Sequence, residues 1–165
     1  MICETLKNFN NDAIIINEPI KNSAVQYNYF YKILYSTNNV SLTSIFIIFE
    51  LTNTTLENDK VKFDRNITNN YVFNKLIELE EYILNLINET KNKLYKIQEL
   101  YEKQYFKYTL CDDIDNLTNY NYLNHIESAN KANTFIIKIS GIWESKDAIG
   151  LTYKIVMVNK FIEFI

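Results

Sequence analysis

The stretch FIIKISGIWESKDAIGLTYKI (residues 135–155) decides how the rest of the chain is read. The chain has two glycines and one tryptophan in 165 residues, and all three fall here, as Gly141, Trp143 and Gly150. Alternating polarity on both sides of ESKDA predicts a hairpin with strands at 134–143 and 150–159. Simple alternation puts Phe135, Ile137, Ile139, Gly141 and Trp143 on one face, and Ile136, Lys138, Ser140 and Ile142 on the other. In the second strand Leu151, Tyr153, Ile155 and Met157 alternate with Thr152, Lys154, Val156 and Val158. A glycine inside a strand marks a bulge or a close backbone approach, which is the expectation for Gly141. Gly150, where the chain re-enters the sheet, is expected to supply a positive φ.

Upstream, AIIINEPI (13–20), VQYNYFYKILY (25–35), TSIFIIFEL (43–51) and KVKF (60–63) read as strands separated by Asn/Thr-rich turns. The period changes at Asn69. Apolar residues at Val72, Phe73, Leu76, Leu79, Ile83, Leu86, Ile87, Leu94, Ile97 and Leu100 keep steps of three and four, predicting a long amphipathic helix over about 69–104. Thr68 or Asn69 would cap it. Unbroken, some 33 residues would span about 50 Å, so either NETKNK (88–93) divides it or its end projects as a coiled-coil arm. QYFKYTL (104–110) is a strand or the frayed helix end, and a short helical turn is expected near 122–127. Strands around one helical segment give a single domain over 1–165, mainly β, that is either α+β or a β-barrel plus helix.

Composition bounds the function classes. A hydrophobic fraction of 47% and an aromatic fraction of 15% exclude a disordered chain despite the many asparagines. The skew toward Asn, Ile, Lys and Tyr, all AT-rich in codon, points to the genome of a parasite, a virus or an AT-rich bacterium. A net charge of −3 argues against a protein coated in positive charge, yet a local basic strip acts within a Debye length of about 10 Å. No apolar run reaches the roughly 20 residues of a membrane helix, and the N-terminus lacks a signal-peptide core, so an intracellular protein is expected. Cys3 and Cys111 match no metal spacing.

Catalytic motifs are not found. Asp112, Asp113 and Asp115 lack the glycine and glutamate of a calcium loop, and His125 has no fixed nucleophile beside it. With two glycines in all, phosphate-cradling loops are nearly excluded. No cofactor and no enzymatic activity are expected. Aromatic and basic residues carry the remaining signal. In QYNYFYKILY, Tyr27, Tyr29, Tyr31 and Tyr35 share one face and Phe30, Lys32 and Leu34 the other. Tyr29, Tyr31 and Lys32, with Lys62 and Arg65 of a basic patch that includes Lys60, and with Lys138, Trp143, Tyr153 and Lys154 of the hairpin, form the candidate surface for single-stranded DNA. Periodicity alone favours Trp143 as a core residue closing a barrel end, which leaves the outward lysines as the better phosphate contacts.

The segments IIKISGIWE (136–144) and IGLTYKI (149–155) resemble the OB-fold single-stranded DNA-binding proteins of large DNA viruses, akin to the phage T-seven-type family. The order of elements is similar too, from an N-terminal strand through a meander and a helix to a closing hairpin. That resemblance implies a five-stranded OB barrel with an inserted helix and a basic, aromatic groove for sequence-nonspecific binding in viral replication or recombination. It carries over onto Lys138, Trp143, Tyr153 and Lys154. The location implied is an infected host cell. Replication proteins and a second copy of the chain are the further expected partners, although NKFIEFI, with Glu163 its one acid, departs from the family's strongly acidic tail. The rival reading is a structural or interaction protein that oligomerises through its long helix.

Overall fold

The structure, a computed structural model, describes residues 3–21, 29–87, 90–110 and 132–158. Cys111, the acidic run at 112–115, the expected turn at 122–127, His125, Tyr27 and Glu163 lie outside the described residues. The chain begins with short strands β1 (Glu4–Thr5), β2 (Ile14–Ile16) and β3 (Ile20–Lys21), then β4 (Tyr29–Ser36) and β5 (Ser41–Leu42). Strands β6 (Ile45–Leu51), β7 (Thr54–Glu57) and β8 (Lys60–Phe63) lead into helix α1 (Ile67–Leu86). After it come β9 (Asn92–Leu94), α2 (Lys96–Lys103), β10 (Tyr105–Lys107) and β11 (Thr109–Leu110). The long hairpin β12 (Asn133–Glu144) and β13 (Ala148–Val158) follows.

That hairpin is the axis of the fold. Its turn is closed by Ser145, whose backbone N–H donates to the Ala148 carbonyl at 2.8 Å while its hydroxyl accepts from the Ala148 N–H at 3.2 Å. The outer edge of β12 is shared by two strands. Asn133–Ile139 pair with β6, and Gly141–Glu144 pair with β4, both antiparallel. Beyond Lys32, β4 peels away to pair with β2 and β5, which frees the edge of β12 for β6. The free edge of β13 takes two short parallel strands, β9 at Ala148–Gly150 and β11 at Val156–Met157. Ten strands join this sheet, and β7, β8 and β10 make a second sheet of three.

The inner face of the large sheet carries the core. Ile45, Ile47, Phe135, Ile137, Ile139 and Ile142 are fully buried there, and α1 packs against β6, β13 and α2. Phenylalanines tie the small sheet to the large one. Phe63 stacks on Phe73 of α1 at 4.5 Å, and Phe106 meets Phe135 edge-on at 5.3 Å. In the β7–β8 turn, Asn58 takes the left-handed φ of 54° that a two-residue hairpin loop favours.

Two sequence expectations are corrected here. First, the sheet is not a five-stranded OB barrel: no sheet closes among the described residues. The large sheet ends instead in the two-residue parallel pairings of β1 on β6 and β11 on β13, which do not meet. Second, of the two alternatives for the inserted segment, division holds and one long helix or projecting arm does not. α1 ends where Ile87 turns extended and buries its side chain, β9 joins the sheet, and α2 starts afresh at Lys96. The start also differs. Asn66, not Thr68 or Asn69, caps α1 by accepting from the Asn69 N–H at 2.9 Å. Asn69 is buried and clasps β6 to the helix, accepting from the Thr52 N–H at 3.0 Å and donating to the Thr52 and Asp64 carbonyls at 2.8 Å.

Candidate nucleic-acid interface

The site is made by one extra residue. Ile139 pairs with Tyr153, but Gly141 pairs with Thr152, so Ser140 has no opposite number and β12 is bulged there. A one-residue insertion reverses the alternation of everything beyond it. Trp143 therefore leaves the face of Phe135, Ile137 and Ile139 and joins that of Lys138 and Lys154, with Gly150 directly across from it. Glu144 moves the other way and is buried. The burial pattern agrees: Ile136 and Val156, on the outer face, are buried but stand outside the contiguous core.

The two glycines make room for rings on that outer face. A Cβ on Gly141 would stand 2.4 Å from Phe30 Cζ and 2.4 Å from the Tyr31 carbonyl oxygen. A Cβ on Gly150 would stand 2.8, 3.0 and 3.1 Å from three atoms of the Trp143 indole. Gly141 thus marks both the bulge and a close approach. Gly150 does not supply a positive φ, since neither glycine has one. It is a seat for the tryptophan.

Register then assembles the face from four strands. Phe30 pairs with Trp143, Lys32 with Gly141, and Phe46 with Lys138, which itself pairs with Lys154. The Lys138 ammonium sits 5.5 Å from the Phe46 ring centre, within cation–π range. Phe30, Lys32, Phe46, Lys138 and Trp143 are half-buried and Lys154 is exposed. Among the described residues no carboxylate pairs with Lys32, Lys138 or Lys154, and neither described helix covers this face.

The remaining residues expected at the surface are placed elsewhere. Tyr29 and Tyr31 follow the opposite parity, and the Tyr31 hydroxyl donates to Glu144 at 2.5 Å on the inner side. Glu144 is also ion-paired with Lys91, whose ammonium donates to the Ser145 carbonyl at 3.0 Å. Burial alone would raise the Glu144 carboxyl, but hydrogen bonds from Lys91 and Tyr31 outweigh it and hold it below the usual range. Tyr153 faces inward beside α1, and burial, then the charges of Glu80 and Glu99, push its hydroxyl up to about 12. Lys62 lies on the small sheet, paired with Glu57 at 2.8 Å. Arg65 stacks on Tyr101 at 4.7 Å and donates to the carbonyls of Tyr101 and Glu102 at 3.3 and 3.4 Å, closing the C-terminus of α2. Of the nine candidates the structure brings together four: Lys32, Lys138, Trp143 and Lys154. Phe30 and Phe46 were missed, and the parity of Phe30 with Lys32 was the available signal.

No other described cluster competes as a site. A cleft of about 400 Å³ between the N-terminal segment and α1 is lined by Phe9, Asp12, Tyr71, Lys75 and Glu78. Among the described residues no group of three potential metal ligands converges, and no helix is long and apolar enough to cross a membrane. No family matches the chain, and no curated protein or solved structure matches it either.

Proposed function

We propose that this protein binds single-stranded nucleic acid, with little sequence preference, on the outer face of β4, β12, β13 and β6. One observation carries the reading: the bulge at Ser140 sets Trp143 beside Phe30 among three lysines that no described acid neutralises. Aromatic rings stack on any base, worth about 1–3 kcal/mol each, and lysines meet phosphates without reading sequence. The net charge of −3 does not oppose this, because the lysines act locally. DNA is the expected strand, and RNA presents the same phosphates and base faces.

Fluorescence anisotropy of a labelled oligo-dT strand, titrated at several salt concentrations, tests the proposal. Three lysine–phosphate contacts predict a slope of log K against log salt of about −2. No binding at low salt overturns the reading. The second reading, self-association through one long helix, is weakened because the apolar residues Val72, Phe73, Leu76, Leu79 and Ile83 are spent in the chain's own core, leaving Ile67, Tyr71 and Leu86 as the exposed apolar residues of α1.

A further inference from the structure

The two ring seats fix more than a binding surface. Phe30 reaches over Gly141, and Trp143 reaches over Gly150. Gly141 pairs with Thr152, two residues along β13 from Gly150, so the seats are diagonal neighbours on adjacent strands. Such neighbours lie about 7–8 Å apart. Successive bases stacked in a helical strand rise only about 3.4 Å. Two adjacent bases cannot remain stacked on each other and also sit one on each ring. The lysines suit an opened strand: Lys32 flanks the Gly141 seat, and Lys138 and Lys154 lie across the sheet on the next row, about 7 Å further along.

Resting on the proposed binding of single strands, we infer that this face selects unstacked strands, one base per ring, and so favours thymine tracts over adenine tracts. Adenines stack strongly on one another and must be pulled apart before two rings at this spacing hold them. Thymines stack weakly and arrive already open. Specificity of this kind needs no hydrogen bond to a base edge.

The test is a comparison of dT, dA and abasic 12-mers against the full chain at one low salt concentration. The inference expects dT to bind about fivefold or more tighter than dA, with the abasic strand weaker than both. It expects Trp143→Leu and Phe30→Leu each to reduce the dT-to-dA ratio toward one while leaving the salt slope in place. The wild-type comparison stands by itself should either variant fail to fold. Equal or tighter binding of dA overturns the inference while leaving single-strand binding intact. An abasic strand that binds as well as dT also overturns it, by removing the rings from the interaction. Failure of all three strands to bind overturns the proposed function and this inference together.

Discussion

The indole of Trp143 lies over Gly150, its partner across the β12–β13 pair, with three ring atoms within 3.1 Å of where a Cβ would stand. Gly150→Ala meets the Trp143 indole rather than backbone, and displaces it from its seat. It should therefore cost little stability, below about 1 kcal/mol, while shifting the emission of the single tryptophan toward the red. A titration melt and an emission spectrum on one sample check both halves.

Gly141→Ala should behave differently. Its added methyl meets the Tyr31 carbonyl oxygen at 2.4 Å, which is backbone and cannot rotate away. The β4–β12 pairing must shift, at a cost of about 1–3 kcal/mol. Denaturant unfolding should place Gly141→Ala clearly below Gly150→Ala. The reverse order would contradict the assignment of the two seats.

Lys91 and Tyr31 converge on Glu144 beneath the hairpin turn, where the carboxylate is only 6% exposed. Its pKa is depressed in the fold, so its contribution to stability is present above the ordinary value of 4.5 and is lost as pH falls through the folded value. Lys91→Ala strands the buried carboxylate and should cost roughly 3 kcal/mol at neutral pH. The loss should shrink in acid, as Glu144 takes up a proton. Urea midpoints of both proteins between pH 3 and 7 measure it.

Glu80 is fully buried on α1 and caps α2, whose own N-cap residue, Tyr95, offers no side-chain bond. Its carboxylate accepts from the Ile97 N–H at 3.0 Å and the Gln98 N–H at 3.2 Å. Burial raises its pKa despite those bonds. The stabilisation linked to its proton is thus full below the ordinary 4.5 and is lost as pH rises through the folded value. Glu80→Gln keeps an acceptor and should flatten that pH dependence. Glu80→Ala leaves a buried N–H unpaired and should cost about 1–3 kcal/mol. Circular dichroism with denaturant melts separates the two.

Tyr153, beside Glu80, titrates at the other end of the scale. With its hydroxyl raised from 10.0 to about 12, the neutral form is favoured in the fold. Its contribution is intact below pH 10 and disappears between there and pH 12. Tyr153→Phe should be less sensitive to alkali over that interval, as read by thermal melts.

The sequence was most legible where periodicity is local. The alternation of β4, β6 and β13 and the three-four spacing of α1 follow from which residues can be buried together. What stayed hidden was the effect of a single unpaired residue on the parity of everything beyond it. Nothing in ISGIW distinguishes a bulge at Ser140 from a straight strand, except that a glycine follows it. Yet that residue decides whether Trp143 belongs to the core or to the surface. The tyrosines of β4 misled for a related reason: their row was real, but only the partner strand reveals which side of the sheet it faces. β9 was invisible because Asn92, Lys93 and Leu94 pair through backbone alone, in a run whose composition reads as a loop. The barrel failed as an expectation because closure depends on which edges meet, and no segment of the chain encodes that by itself.

Trp143 is the only tryptophan in the chain, so its fluorescence reports on the proposed face without a label. A stoichiometric titration with unlabelled oligo-dT at low salt should quench its emission in step with binding measured by anisotropy. Reversing charge at Lys32, Lys138 and Lys154 together should abolish both signals. Binding that leaves the emission of Trp143 unchanged would contradict the account, because the strand would then lie on another part of the molecule.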